Sequence, residues 1–263
     1  MSIWKLDYVG KKPKLKNPIL IEGLPGIGNV GKVAVDFLID ELKAKKIMNI
    51  TSHTFPHSVF VNEDNLVELP VIELFHVKIK NQDILFLAGD VQPIDEVSSY
   101  EFCEELLELL ASYNTKELIT LGGIGLNDIP KTPKVYCTGN SKQMIKKFKT
   151  KSVNDKLYGV VGPIVGVSGL LLGLASKKKI NAISFLAETY GHPMYLGIKG
   201  AREILKVLDA NLSLKIKLDR LDSEIKSIEK EILKRTDELS NVSKTTALKK
   251  LKGKLGQDVS YIG

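Results

Sequence analysis

The stretch "EGLPGIGNVGK", residues Glu22 to Lys32, decides how the first part of this chain folds. Four glycines within nine residues follow the apolar run "PILI" and precede the helix-forming pattern "VGKVAVDFLIDEL" at 30–42. A buried strand, a tight glycine turn and a helix are the opening unit of an α/β fold. The same unit also carries nucleotide-binding motifs, so this turn raises a functional question.

Two nucleotide-binding motifs almost fit the turn. Gly26, Gly28 and Gly31 have the spacing of the dinucleotide fingerprint, which also requires an acidic residue about 20 positions further on. The sequence there is "NITSHTFPHS", which contains no acid. The phosphate-binding loop requires Ser or Thr after Lys32, and the chain has Val33. The sequence therefore predicts an architectural turn with no cofactor, and leaves anion binding at the helix N-terminus as the alternative.

Strand-like and helix-like patterns alternate along the chain. Predicted strands lie at 18–23, 47–55, 66–79, 83–89, 117–123, 158–163 and 181–189, and predicted helices at 30–42, 96–113 and 166–179. This alternation predicts an α/β fold with a mixed, mostly parallel sheet and helices on both faces. Glycine- or proline-rich turns follow the strands, so the strand ends should frame a crevice.

Several polar residues are candidates for chemistry at that crevice. Glu22, Asp90 and Glu188 each end a predicted strand; they could act as acid and base or hold a metal, or they could cap helices and satisfy loop amides. The second interpretation is favoured. His192, in "TYGHP", is the candidate general base, and Cys103 is one of two cysteines, with Cys137, expected to be free and buried. We assign no catalytic, cofactor-binding or metal-ligating residue.

The 263-residue chain has a formal net charge of +7, concentrated near its end. Residues 241–263 carry five lysines and one acid. No aromatic-rich sheet motif or zinc-ligand cluster accompanies them, so a nucleic-acid partner is not favoured. We find no signal peptide and no apolar run of about 20 residues, the length a bilayer requires, so we expect a cytoplasmic protein without a membrane partner.

A heptad pattern follows the predicted α/β core. Its apolar positions are Leu214, Leu218, Leu221, Ile225, Ile228, Ile232 and Leu239. The segment has no Gly or Pro and many charges, which favours a coiled-coil-like helix over 211–240 that pairs within the chain or between subunits. An amphipathic helix lying on its own domain is the alternative. We therefore expect a core at 1–210, this helix at 211–240, and a flexible basic tail at 241–263.

The order of the glycine motifs resembles the archaeal branch of the proteasome assembly chaperone family. The resemblance rests on "IEGLPGIGNVGKVAVDFLIDEL", "FLAGDVQP", "ITLGGIG", "VGPIVGVSGLLLGLA" and "FLAETYGHP", within roughly residues 15–210. It implies a three-layer α/β/α sandwich around a mixed sheet. It also implies a non-enzymatic protein that assists assembly of the proteasome α-ring, in some members as a closed homo-oligomer.

Some relatives in that family end in a hydrophobic-Tyr-X tail that docks in pockets of the α-ring. This chain ends "DVSYIG", which places Tyr261 one position early and puts Ser260 before it. The expected partner-binding residues are Val259, Tyr261, Ile262 and Gly263. The family has also been labelled with an ATP-dependent ligase superfamily, so a nucleotide- or carboxylate-dependent enzyme using the crevice remains the alternative function.

Overall fold

The central strands of this protein are apolar on both faces, which requires helices on both sides of the sheet. Leu20 and Ile21 point to opposite faces because they are neighbours in one strand, and both are fully buried. Phe86 and Leu87 repeat this arrangement in another strand. Such strands are typical of sheets that are covered by helices on both faces. The structure, a computed structural model, describes residues 3–157, 159, 162–193, 195–223 and 225.

Strands and helices alternate along the described residues. The strands are β1 (Trp4–Tyr8), β2 (Ile19–Glu22), β3 (Lys45–Ser52), β4 (Phe60–Val61), β5 (Val67–Glu68), β6 (Ile72–Ile79), β7 (Gln82–Gly89), β8 (Glu117–Leu126), β9 (Val135–Gly139), β10 (Val153–Asn154) and β11 (Asn181–Tyr190). The helices are α1 (Val30–Glu41), α2 (Glu96–Ser112), α3 (Lys142–Phe148), α4 (Val167–Ala175) and α5 (Ile198–Leu212), with 3₁₀ turns at Ile27–Asn29 and Ser176–Lys178. None of the helices in these described ranges has the length and apolarity that crossing a bilayer requires.

Nine of the strands form one mixed sheet, and β4 and β5 pair separately as a hairpin. The order in the sheet is β1-β3-β6-β7-β2-β8-β11-β9-β10. Strands β7, β2, β8 and β11 run parallel in the centre, as do β9 and β10 at one edge, whereas the other pairings are antiparallel. The mixed sheet is confirmed, but parallel pairing is less dominant than predicted.

Two pairs of helices cover the two faces of the sheet. Helices α2 and α4 pack together over a cluster that includes Leu20, Leu87 and Leu118 of the central strands. Helices α1 and α5 pack together and contact β8 and β11. The α/β/α sandwich implied by the resemblance is confirmed.

The segment 158–163 was predicted to be a strand, and its described residues are not in one. Gly159 has a φ of 79°, which belongs to a turn and not to a pleated strand. Strand β9 and helix α3 were not predicted, because each is short and lacks a sustained apolar period.

The predicted continuous helix over 211–240 is wrong at its start. Helix α5 ends at Leu212, because Ser213 has a φ of 53° and the backbone N–H of Lys215 donates to the Asp209 carboxylate. Leu214 is buried but lies outside any helix, and helical residues resume only at 219. The chain divides into two compact units between Lys217 and Leu218. The heptad positions Ile228, Ile232 and Leu239, and the whole segment 241–263, lie outside the described residues.

Candidate functional site

The glycine turn after β2 folds as the sequence predicted, from strand to turn to helix. The backbone N–H of Gly23 donates to Leu87 O at 3.0 Å, which extends the strand pairing by one residue. Gly28 and Asn29 then have φ angles of 61° and 50°, so the chain reverses within two residues. The N–H of Asn29 donates to Gly26 O at 2.9 Å and closes the turn.

Two glycines of the turn are required by close backbone packing. A Cβ atom on Gly31 would lie 2.4 Å from the carbonyl oxygen of Leu121 in β8. A Cβ atom on Gly23 would lie 2.3 Å from the carbonyl oxygen of Gly31. Contacts this short force the backbone to shift, so only glycine lets α1 lie directly on the sheet. Close packing therefore accounts for Gly31, and a positive φ for Gly28, which are two of the three glycines that make the turn look like a nucleotide site.

The Lys32 side chain forms an ion pair on the surface of α1. Its ammonium group lies 3.0 Å from the Asp36 carboxylate, one helical turn further on. Burial is the main reason why the pKa of Asp36 is raised, and Lys32 opposes that shift. The residue that would bind phosphate in a phosphate-binding loop thus forms a local i,i+4 pair instead.

We expect no binding of ATP or NAD at this turn in isothermal titration calorimetry at micromolar concentrations. Lys32→Ala should change the free energy of unfolding by only about 0.5 kcal/mol, because i,i+4 ion pairs at a helix surface contribute little even when they are half-buried. Lys46→Ala, which removes another surface pair, with Glu73, is the matched control. Nucleotide binding that Lys32→Ala abolishes and Lys46→Ala preserves would contradict this prediction.

A cleft of about 890 Å³ opens beside the turn, at the carboxyl ends of β2 and β8, which confirms the predicted crevice. The glycine-rich end of β8 lines the cleft with Gly122, Gly123 and Gly125. The wall residues are Leu24–Ile27, Gly31, Gln92–Glu96, Ser99, Tyr100, Leu121, Ile124, Pro163–Gly166, Ser168–Leu170 and Leu186.

Gln92 joins two of the loops that line this cleft. Its side-chain nitrogen donates to the carbonyl oxygen of Pro25, and its side-chain oxygen accepts from the backbone N–H of Val167 at 3.2 Å. Gly166, beside it, has a φ of 86°, a conformation that favours glycine. The glycine turn and the start of α4 are therefore held at a fixed separation.

Glu22 is a fully buried carboxyl group at the carboxyl end of β2. It accepts hydrogen bonds from the backbone N–H of Leu24 at 2.9 Å and from the hydroxyl of Ser168, which lines the cleft, at 2.8 Å. Burial raises the pKa of Glu22 to about 7, although both hydrogen bonds lower it. The sequence pointed to Glu22 because an acid ends an otherwise apolar buried strand. No feature of the sequence pointed to Ser168.

The three strand-end acids do not converge. Asp90 is exposed and accepts from the backbone N–H of Val71 at 3.4 Å. Glu188 accepts from the backbone N–H of Lys134 at 2.9 Å. Glu22, Asp90 and Glu188 each satisfy a nearby donor, as the favoured interpretation of the sequence expected.

The histidines His192 and His76 contact different neighbours and do not form a shared site. His192 is exposed, and its ring stacks on Tyr190 with centroids 5.6 Å apart. The Nε2 atom of His76 lies 2.9 Å from the Asp83 carboxylate. Burial acts to raise the pKa of Asp83, but hydrogen bonds from the backbone N–H of Lys16 and from His76 lower this pKa overall. No group of three His, Cys, Asp or Glu side chains suited to a metal occurs within the described ranges.

Both cysteines are free and buried, as predicted. Burial is the main reason why the pKa of each thiol is raised, to about 11 for Cys137. A raised pKa keeps a thiol protonated near neutral pH, and the protonated form is a poor nucleophile. Neither thiol has the environment of a catalytic cysteine.

A profile of the PAC2 family matches residues 20–235, which is most of the chain. The chain belongs to the PAC2 family. Among curated proteins, this PAC2 protein is similar to the uncharacterized protein MJ1210 of Methanocaldococcus jannaschii. The two are 30% identical over 220 residues, which cover 84% of this chain and 83% of the relative.

Solved structures similar to this PAC2 protein include two from Pyrococcus furiosus. PbaB, described as an archaeal proteasome activator, is 32% identical, with a TM-score of 0.81 over 90% of this chain and 100% of that chain. PbaA, described as an archaeal homolog of proteasome-assembly chaperone, is 26% identical, with a TM-score of 0.75 over 94% and 97%.

Proposed function

We propose that this PAC2 protein is a non-enzymatic, cytoplasmic assembly chaperone that binds proteasome subunits and assists proteasome assembly as a homo-oligomer. The main support is its likeness to PbaB, a proteasome activator, at 32% identity over 90% of this chain. The likeness to PbaA, a homolog of proteasome-assembly chaperone, supports the assembly role. The proposed client is the α-ring.

The rim of the cleft has the character of a protein-binding surface. Ile27, Ile94, Tyr100 and Val165 line the cleft, and between 48% and 83% of each side chain is exposed. Exposed apolar side chains grouped at a concave surface are typical of sites that bind another protein. Burial of these side chains against a client would contribute free energy of binding.

The charges beside the cleft favour a protein client over the substrates of the alternative enzyme. Within the described residues that line the cleft, the charged side chains are Asp95 and Glu96, and both are acidic. Hydrogen bonds from Ser98 lower the pKa of Asp95, so this carboxyl group stays ionised near neutral pH. Nucleotides and carboxylates are anionic, and like charges at close range disfavour binding.

The homo-oligomer is proposed to use the heptad positions that follow the core. Leu218, Leu221 and Ile225 are described, and Leu221 is buried. The backbone N–H of Asp222 donates to Leu218 O at 2.9 Å, which is the spacing of a helical turn. Leu214 is excluded from the proposed pairing surface because it lies in the first unit, before the helical residues that resume at 219.

The proposed function is tested by binding and by assembly. Surface plasmon resonance with immobilised α-rings should give saturable binding at micromolar concentrations. Native gels should show that separately purified α- and β-subunits form complete particles faster when the protein is added. A protein that neither binds the α-ring nor changes the assembly rate would overturn the proposal, and turnover of a nucleotide in the same mixture would favour the enzyme.

The tail is expected to contribute to this binding through Val259, Tyr261, Ile262 and Gly263. A tyrosine between apolar side chains suits insertion into a pocket of the partner, where tyrosine is among the residues that carry most of the binding energy. Tyr261→Ala should weaken α-ring affinity about tenfold or more, since loss of a buried aromatic contact costs at least about 1.4 kcal/mol.

Two further variants separate docking from simple charge attraction. Ile262→Ala should weaken binding in the same direction as Tyr261→Ala, because it removes a neighbouring apolar contact. Replacement of Lys252 and Lys254 by alanine is the control, and it should slow association without a comparable loss of affinity. If the tyrosine and isoleucine variants bind like wild type, the client contact belongs to the core.

A further inference from the structure

Charge is divided very unevenly along this chain. Residues 47–115 contain twelve acidic residues and two lysines, Lys78 and Lys80, a net charge of −10. The rest of the chain holds the other 36 basic and 19 acidic residues, a net charge of +17. A chain with an overall charge of +7 thus contains a long segment of the opposite sign.

The fold places the acidic segment and the basic residues 116–217 at opposite ends of the sheet. The acidic segment forms most of β3 and all of β4 to β7 and α2, whereas residues 116–217 form β8 to β11 and α3 to α5. In the strand order, β3, β6 and β7 lie on one side of β2, with β1 at the edge beside β3, and β8, β11, β9 and β10 lie on the other side. Apart from Lys5 in β1 and Lys45 and Lys46 in β3, the core therefore has a charge gradient along the sheet.

The acidic end carries an apolar arm, which we define as residues 58–69 around the β4–β5 hairpin. Its exposed apolar side chains are Val59 (51%), Phe60 (44%), Val61 (66%), Leu66 (62%), Val67 (67%) and Leu69 (78%). Glu63, Asp64 and Glu68 are exposed on the same arm, which contains no basic residue. A cluster of exposed apolar groups bordered by acids is typical of an interaction surface.

Hydrogen bonds hold the arm in a defined shape. The side-chain oxygen of Asn62 accepts from the backbone N–H groups of Asp64 at 3.0 Å and Leu66 at 2.9 Å. The side-chain nitrogen of Asn62 donates to the Glu68 carboxylate at 2.7 Å. Because the arm is already ordered, docking it costs less conformational entropy than ordering a flexible loop.

The other end of the sheet is a lysine-rich surface, which we define as residues 131–156 around β9, α3 and β10. Its lysines are Lys131, Lys134, Lys142, Lys146, Lys147, Lys149, Lys151 and Lys156, and all eight are exposed. Lys147 pairs with Glu117, and Lys149 with Asp155. The other six form no ion pair within the described part of the chain.

A lysine-rich surface suits an arm that is both apolar and acidic. The methylene groups of lysine cover apolar side chains while the ammonium group reaches a carboxylate or water. Ile129, which is 44% exposed, adds an apolar side chain beside this surface. The two ends of the sheet are therefore complementary in charge and in apolar contact, and each occurs once per chain in the described residues.

We propose that the apolar arm of one copy docks on the lysine-rich surface of the next copy, in a head-to-tail contact. A two-fold contact of arm with arm would bring six acidic groups together, which is unfavourable. A contact between different surfaces at opposite ends of a subunit repeats from copy to copy and forms a ring when it closes. This inference rests on the homo-oligomer of the proposed function and names one of its interfaces.

Charge reversal in the full-length protein tests the contact. The arm variant is Glu63→Lys with Asp64→Lys, and the surface variant is Lys146→Glu with Lys151→Glu. Wild type should sediment as an oligomer, and each variant should sediment with a lower mass while its circular dichroism spectrum is unchanged. An equimolar mixture of the two variants should sediment with a higher mass than either variant alone, because the reversed arm of one variant then meets the reversed surface of the other.

The matched control is Glu104→Lys with Glu105→Lys on α2, since neither carboxylate forms an ion pair within the described residues. It changes the net charge as much as the arm variant does and should keep the wild-type mass. An arm variant with wild-type mass, or a mixture that stays dissociated, would overturn the head-to-tail contact. Binding to immobilised α-rings is measured in parallel. A monomeric wild type that still binds α-rings would contradict this head-to-tail contact but not the proposed client. An oligomeric wild type that does not bind α-rings would contradict the proposed client but not the contact.

Discussion

Gly31→Ala should lower the free energy of unfolding by about 3 kcal/mol or more, which is at the upper end of the range for overpacked sites. The new methyl carbon would be placed 2.4 Å from Leu121 O and 3.0 Å from Leu121 C. Those atoms belong to β8, a central strand that pairs with a neighbour on each side, so its backbone cannot shift without disrupting the sheet. In most helices Gly→Ala is stabilising by up to about 1 kcal/mol, so a large loss here would be diagnostic.

Thermal unfolding followed by circular dichroism measures this effect. A loss of about 3 kcal/mol corresponds to a fall in Tm of roughly 6–12 °C for a protein of this size. Gly26→Ala is the matched control within the same turn. A Cβ atom there meets nothing within 4 Å, and its φ of −159° is accessible to any residue. Equal Tm values for the two variants would show that α1 does not depend on this close approach.

Apolar periodicity was sufficient to predict the sandwich. The runs at 83–89 and 96–113 became β7 and α2 almost residue for residue, because each has one clear period and a defined boundary. For α2 that boundary is Asp95, whose carboxylate accepts from the backbone N–H of Ser98 at 2.9 Å. Strands β9 and β10 depend on their neighbours for pairing, and sequence periodicity does not report such long-range contacts.

The candidate site could be predicted only in outline. Glycine-rich strand ends predicted a crevice, and the missing acid and hydroxyl gave reason to doubt a nucleotide. The roles of Gln92 and Ser168 depend on contacts with Pro25 and Glu22, which are 67 and 146 residues away in the chain. The charge asymmetry was present in the sequence, but its meaning required the strand order, which places the acidic and basic segments at opposite ends.

The protein should lose stability as the pH rises through the range in which Glu22 ionises. The pKa of Glu22 is raised from 4.5 to about 7 in the folded state, mainly by burial. Between these two values the folded protein binds more protons than the unfolded chain, so the free energy of unfolding falls as the pH rises. A shift of this size corresponds to about 3 kcal/mol, fully lost above about pH 7.

Glu22→Gln should remove this pH dependence, because the amide is neutral at every pH and nearly the same size. Its oxygen can still accept from the N–H of Leu24, and its nitrogen can donate to the hydroxyl of Ser168. Relative to wild type, the variant should therefore gain about 3 kcal/mol between pH 4 and pH 8, measured by urea unfolding across that range.

Ser168→Ala provides the second half of the test, and it moves the pKa of Glu22 in a known direction. The hydroxyl donates to the carboxylate at 2.8 Å and lowers its pKa, so removal of the hydroxyl should raise the pKa further. The loss of stability should then continue to a higher pH than in wild type. If the stability difference between wild type and Glu22→Gln is constant across the pH range, Glu22 does not ionise in this window, and the buried carboxyl group has only a structural role.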